Sequence, residues 1–90
     1  MNEQELRDAV IQALTRVAPD IDPTRIDPEI DLAEQLDIDS MDFLGVIVAI
    51  DELTGIEVPE RDYPKLSTLE TATAYLAAAQ QRRAAPADAL

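Results

Sequence analysis

The chain contains no cysteine and no histidine. Without cysteine there is no disulfide framework, no thiolate metal site and no thiol nucleophile; without histidine there is no imidazole ligand and no histidine-based triad. Lysine occurs once, at Lys65, with no evident neighbour to activate it. Most enzyme mechanisms therefore lack a part, and neither an independent catalyst nor a metal centre is expected. Rings are as scarce, with Phe43, Tyr63 and Tyr75 the only aromatic residues among 90. The core of so small a domain must be built from Leu, Ile, Val and Ala.

Charge of one sign is also in short supply. Seven basic residues face nineteen acidic ones, a formal net charge of −12 at pH 7. This disfavours nucleic acid and anionic membrane surfaces as partners, favours basic protein surfaces and opposes self-association, so a monomer is expected. The longest apolar stretch, residues 43–50, falls far short of the roughly 20 residues of a membrane span, so no stable insertion is expected. The opening residues Met1-Asn2-Glu3-Gln4-Glu5 have neither the basic nor the apolar segment of an export signal, which makes the cytoplasm the expected location.

What is present is helical. Asn2 and Glu5 fit a capping box, and Leu6, Val10, Ala13, Leu14 and Val17 recur at helical spacing until Pro19, predicting a helix over 3–17. Residues 18–37, with Pro19, Pro23 and Pro28, read as a long connection pinned by Ile26, Ile30, Leu32 and Leu36. Asp39 caps a second helix over 40–54, which Gly55 terminates. Pro59 starts a short helical turn over 59–63 that Pro64 interrupts. Ser67-Thr68-Leu69-Glu70 suggests another capping box, opening a last helix with the stripe Leu69, Ala72, Leu76 and Ala79 and with Arg82 and Arg83 at its cation-favouring end. The expected fold is all-α: a small four-helix bundle, three longer helices plus a short one, with a long loop between the first two. The domain occupies residues 1–83, and 84–90 reads as a flexible tail.

From Ile26 through Glu60 there is no Lys or Arg but there are eleven acidic residues. A solvated acidic face explains such a run without further chemistry. Asp37-x-Asp39-x-x-Asp42 is not a calcium loop, because the sixth position holds Asp42 in place of glycine and the twelfth Val48 in place of glutamate. Asp39-Ser40 lies where the acidic run meets a predicted helix N-terminus. Ser40 there is a plain helix-start residue or, because unpaired N–H groups and the positive dipole end favour phosphate, a sensible place to attach a phosphodiester.

Leu36-Asp37-Ile38-Asp39-Ser40-Met41-Asp42, Ile50-Asp51-Glu52-Leu53, Ile56-Glu57-Val58-Pro59 and Leu69-Glu70-Thr71-Ala72 together resemble the acyl carrier proteins, over nearly the whole chain up to Leu76. The resemblance implies that Ser40 receives 4′-phosphopantetheine from coenzyme A through a separate Mg²⁺-dependent transferase, and that acyl groups ride on the arm's thiol as thioesters. It implies that Asp39 helps the transferase hold its metal and cofactor, and that Asp42, Asp51 and Glu52 meet basic patches on fatty-acid, polyketide or related biosynthetic enzymes. Met41 and Val46 match apolar contacts of the same face, while helical spacing equally allows Val46 a core position.

Three departures from the family pattern stand out. Asp37 occupies a place where glycine is common, Met41 replaces a more frequent leucine of similar volume, and Gly45 stands where many members carry a recognition glutamate. Leu69, Ala72, Leu76 and Ala79, with Val46, Ile47, Ile50 and Val58, line either an acyl cleft or an ordinary core. A peptidyl or aminoacyl carrier shares the arm and the helical fold. An acidic helical interaction module whose Ser40 stays unmodified explains the charge but not the motifs.

Overall fold

The computed structural model describes residues 1–84. Three long helices, α1 (Glu3–Val17), α3 (Ser40–Thr54) and α4 (Leu69–Ala84), form an all-α bundle in which α1 packs against both α3 and α4. A short α2 (Leu32–Leu36) and two 3-10 segments, Pro23–Arg25 and Glu60–Leu66, lie in the connections, and there is no strand among the described residues. The tail expected over 84–90 lies, from residue 85 onward, outside the described residues.

Local chemistry fixes the long helices where the sequence places them. In α1 the Glu5 N–H donates to the Asn2 side chain and the Asn2 N–H to the Glu5 side chain, each at 2.8 Å, which satisfies two donors that a helix start leaves unpaired. Gly55 ends α3 in the left-handed region, φ 72°, with its N–H bonded to the Asp51 carbonyl at 2.7 Å. The core is aliphatic as composition requires. Leu6, Val10, Leu14, Val46, Ile50, Leu69 and Leu76 are buried together, whereas all three rings are only half-buried and pack against its outside.

The connections differ from expectation in instructive ways. The 18–37 stretch holds α2, because Asp31 accepts the Glu34 N–H at 2.9 Å and Leu32 is drawn into the core. Ile26 and Leu32 do pin it, but Ile30 is exposed. The helical turn expected over 59–63 runs instead over Glu60–Leu66 with Pro59 as its cap and Pro64 inside it; burial of Leu66 holds the segment despite the missing N–H. The last capping box is shifted by one residue. Ser67 has right-handed helical backbone and closes the 3-10 segment, while Thr68 accepts the Thr71 N–H at 3.0 Å and donates its own to Thr71 at 3.3 Å.

Two backbone bonds fasten the acidic connection to this junction: the Leu32 N–H to the Ser67 carbonyl at 2.7 Å and the Glu70 N–H to the Pro28 carbonyl at 2.9 Å. The Gln35 amide braces it from within, donating to the carbonyls of Asp27 and Ile30 and accepting the Asp27 N–H. At its end Asp37 takes φ 53° and ψ 47°, the only positive φ outside glycine among the described residues, which reverses the chain between α2 and α3.

Because the left-handed region strains a residue bearing Cβ, Asp37→Gly is expected to stabilise the fold by about 0.5–1 kcal/mol after the extra freedom of the unfolded glycine is deducted. Thermal melts should show Asp37→Gly a few degrees above the parent and Asp37→Ala below it.

A second prediction concerns Tyr75, whose hydroxyl donates to the Asp62 carboxylate at 2.7 Å and ties the 3-10 segment to α4. That bond, ahead of the contributions of Lys65 and Arg61, holds the Asp62 carboxyl below its ordinary 3.8; burial first, then the Asp62 contact, pushes the Tyr75 phenol above its ordinary 10.0. The lowered carboxyl stabilises above its ordinary value and loses that contribution as pH falls through the folded one; the raised phenol stabilises below its ordinary value and loses that contribution as pH rises through the folded one. Tyr75→Phe is therefore expected to lower the urea midpoint at neutral pH, with the gap from the parent narrowing below pH 3.8 and above pH 10.0.

Candidate functional site

The N-terminus of α3 gathers the residues that the sequence singles out. Asp39 has extended backbone and caps the helix, its carboxylate accepting the Asp42 N–H at 2.8 Å while its carbonyl accepts the Phe43 N–H at 2.9 Å. Ser40 is the first helical residue, and it is exposed. No hydrogen bond engages its hydroxyl among the described residues. A nucleophilic oxygen thus stands free at the positive end of a fifteen-residue helix dipole, where a phosphodiester is electrostatically favoured.

Downstream, α3 divides into two faces. Val46, Ile47, Ala49 and Ile50 turn inward. Val46 is 1% exposed, so the core position is the one it takes, and it is not part of an outward face. Met41 stands at 77% exposure, and Leu44 at 44% and Val48 at 52% continue the same stripe at helical spacing, flanked by exposed Asp42, Asp51 and Glu52. Leu44 and Val48 were legible as outward positions from their offsets to Met41, opposite Val46 and Ile50. Glu52 already has a partner, the Arg16 guanidinium at 3.3 Å. Both side chains are largely exposed, so that pair is worth about 0–1 kcal/mol and yields readily to a competing cation.

Gly45 lies where α3 approaches α1. A Cβ there meets Val17 Cγ2 at 3.4 Å, an ordinary contact, so close approach does not require the glycine. Its consequence is a half-buried position beside Val17 that carries no side chain.

An open groove of about 350 Å³ lies beside Ser40. Ser40, Phe43, Tyr63 and Pro64 line it, with Asp31 and Asp39 among its other wall residues, and its wall is mostly carbon. Phe43 and Tyr63 were not singled out from the sequence as site residues. The available signal was Phe43 one helical turn after Ser40; nothing local placed Tyr63 opposite. The eight aliphatic residues considered for an acyl cleft are all buried in the core, and none of them lines this groove.

Comparison with known proteins shows the family. A family model described as a phosphopantetheine attachment site matches residues 4–76. The acyl carrier protein of Thermosynechococcus vestitus is 34% identical over 70 residues, covering 78% of this chain and 85% of that protein. That of Campylobacter hominis is 36% identical over 73 residues, covering 81% and 86%. The meromycolate extension acyl carrier protein of Mycobacterium tuberculosis is 30% identical over 70 residues, covering 78% and 61%.

The cap bond gives a direct test of how the serine is presented. Asp39→Ala is expected to cost about 1 kcal/mol in chemical denaturation, whereas Asp39→Asn, which keeps an accepting oxygen for the Asp42 N–H, loses only a fraction of that.

Proposed function

This chain belongs to the acyl carrier protein family, as a carrier and not a catalyst, and on that premise we propose that Ser40 bears its 4′-phosphopantetheine arm. The arm supplies the thiol that a cysteine-free chain lacks, and acyl groups travel on it as thioesters. The observation that carries the assignment is a free, exposed serine hydroxyl at the first residue of α3, directly after a capping aspartate. Attachment exchanges the hydroxyl proton of Ser40 for a phosphodiester link, and the adenosine bisphosphate remainder of coenzyme A departs. The free helix end and the open space beside it fit such a group.

Asp39 has two roles in this reading. Its carboxylate starts α3, and its outward position suits a Mg²⁺-dependent transferase that needs an acidic residue next to the acceptor hydroxyl. Asp42, Asp51 and Glu52 supply the charge that steers basic docking surfaces of acyl-transferring and condensing enzymes, in fatty-acid, polyketide or related biosynthesis. Met41, with Leu44 and Val48 beside it, supplies apolar contact once docked. Exposed charges make such encounters fast and weak, which suits a shuttle that must leave each enzyme. The proposed location is the cytoplasm; among the described residues no helix is long and apolar enough to cross a membrane.

Incubation with coenzyme A, Mg²⁺ and a promiscuous phosphopantetheinyl transferase is expected to raise the intact mass by one phosphopantetheinyl group in the parent and not in Ser40→Ala, with unchanged helical circular dichroism. A modified Ser40→Ala protein places the arm elsewhere, and a folded parent that gains nothing favours an unmodified interaction module. Asp39→Asn should slow the same modification while leaving the melting temperature almost unchanged.

A further inference from the structure

The last third of the chain reverses the acidic bias of the rest: four of the seven basic residues fall within 61–83, beside only two acidic ones. Two of the four, Arg61 on the Glu60–Leu66 segment and Arg82 on α4, line one open pocket of about 550 Å³, which shares no lining residue with the groove beside Ser40. Tyr75 lies in the same wall, and the Arg82 guanidinium sits over its ring, 5.9 Å from the centroid. Burial first and the Asp62 contact next raise the Tyr75 phenol, and the fields of Arg82 and Arg61 oppose that rise, so both guanidinia act on one ring. Neither arginine side chain forms an ion pair or donates a hydrogen bond among the described residues. Of the two carboxylates in the wall, Asp62 is engaged by the Tyr75 hydroxyl at 2.7 Å and by Lys65 at 3.3 Å, while Glu57 is exposed. Ile56, Pro59 and Ala79 supply the carbon of the pocket, and the first and last of these belong to the core.

We propose that this pocket is a second binding site, one that takes a small organic monocarboxylate with its head between the Arg61 and Arg82 guanidinia and its body against Ile56, Pro59 and Ala79. The site does not depend on where the arm is attached. The donors suit it: a guanidinium presents a rigid fork of N–H groups that pairs with a carboxylate through two bonds, and one already laid over an aromatic ring has less freedom to lose on binding. Charge selects the ligand further. With Lys65 answering Asp62, three positive side chains face two negative ones, which accommodates one negative charge and disfavours a second, as on a phosphate monoester or a dicarboxylate. Small-molecule pockets span roughly 300–1,000 Å³, and this one, in the lower half of that range, holds a ring or a branched chain. The net charge of −12 opposes any free anion at long range, so an apolar body is needed to hold the head in place and a bare ion does not suffice.

The test titrates the full, isotope-labelled chain with sodium benzoate at constant ionic strength and neutral pH, following the arginine Nε–H and tyrosine ring resonances. Benzoate is expected to shift the Arg61 and Arg82 Nε–H signals and the Tyr75 ring saturably, with Phe43 and Tyr63 unmoved. Acetate, which lacks the body, should bind at least about ten-fold more weakly. Benzyl alcohol and benzylammonium, which lack or reverse the charge, should give no saturable shift at either arginine, and phthalate, with its second charge, should bind more weakly than benzoate. Arg61→Gln and Arg82→Gln should each weaken benzoate several-fold, and so should Arg82→Lys, which keeps the charge but not the fork; both side chains are exposed, so the fold tolerates the change. Arg25→Gln, which removes an equal charge from an exposed position outside the pocket, should leave the affinity unchanged. Shifts that grow without saturation, equal affinity for acetate and benzoate, or indifference to both Arg61→Gln and Arg82→Gln reduce the effect to bulk charge and overturn the proposal. Benzoate shifts confined to Phe43 and Tyr63 place the ligand in the other groove and overturn it as well.

Discussion

The 2.8 Å bond between the Asp42 N–H and the Asp39 carboxylate decides where α3 begins, and the working end of the molecule depends on that start. Moved by one residue, the helix rotates by about 100° per position, which carries the serine away from the groove and turns the stripe of Met41, Leu44 and Val48 off the surface. The register is secured from both directions. Upstream, left-handed Asp37 reverses the chain within three residues of α2; downstream, Val46, Ile47 and Ile50 lock into a core with no ring to adjust the fit.

That core explains the division between rigid and adaptable parts. Leucine, isoleucine, valine and alanine pack closely, and α1 serves as the common wall for α3 and α4 without lining the groove. The acidic connection is ordered differently, by Gln35 and by two backbone bonds to the start of α4, with few buried side chains. Hydrogen bonds to a surface segment are worth less than burial and open more readily, so this wall of the groove is the one with freedom to move.

How much of this was legible in the sequence follows from the range of the interactions. The long helices were fixed by signals within a few residues of one another: Asn2 with Glu5, Asp39 with Asp42, and Gly55 after a periodic run. The resemblance to carrier proteins pointed to Asp39 and Ser40 for the same reason, through a contiguous motif. Where partners lie far apart the sequence was silent or misleading. Helix α2 forms beside a backbone bond from Leu32 to Ser67, the last cap lies at Thr68 because Ser67 already closes the preceding segment, and Tyr63 shares a groove with Phe43 only through the fold. Val46 was undecided between surface and core because one helical position satisfied both patterns until the neighbouring helices were placed.

The two rings beside Ser40 belong to separate elements, and neither is sealed inside the bundle. Their replacement therefore disturbs half-buried surface in place of the aliphatic interior that sets the register of α3. A substitution at either ring recasts only the wall beside Ser40, while the start of α3 and the exposed stripe of Met41, Leu44 and Val48 keep their positions.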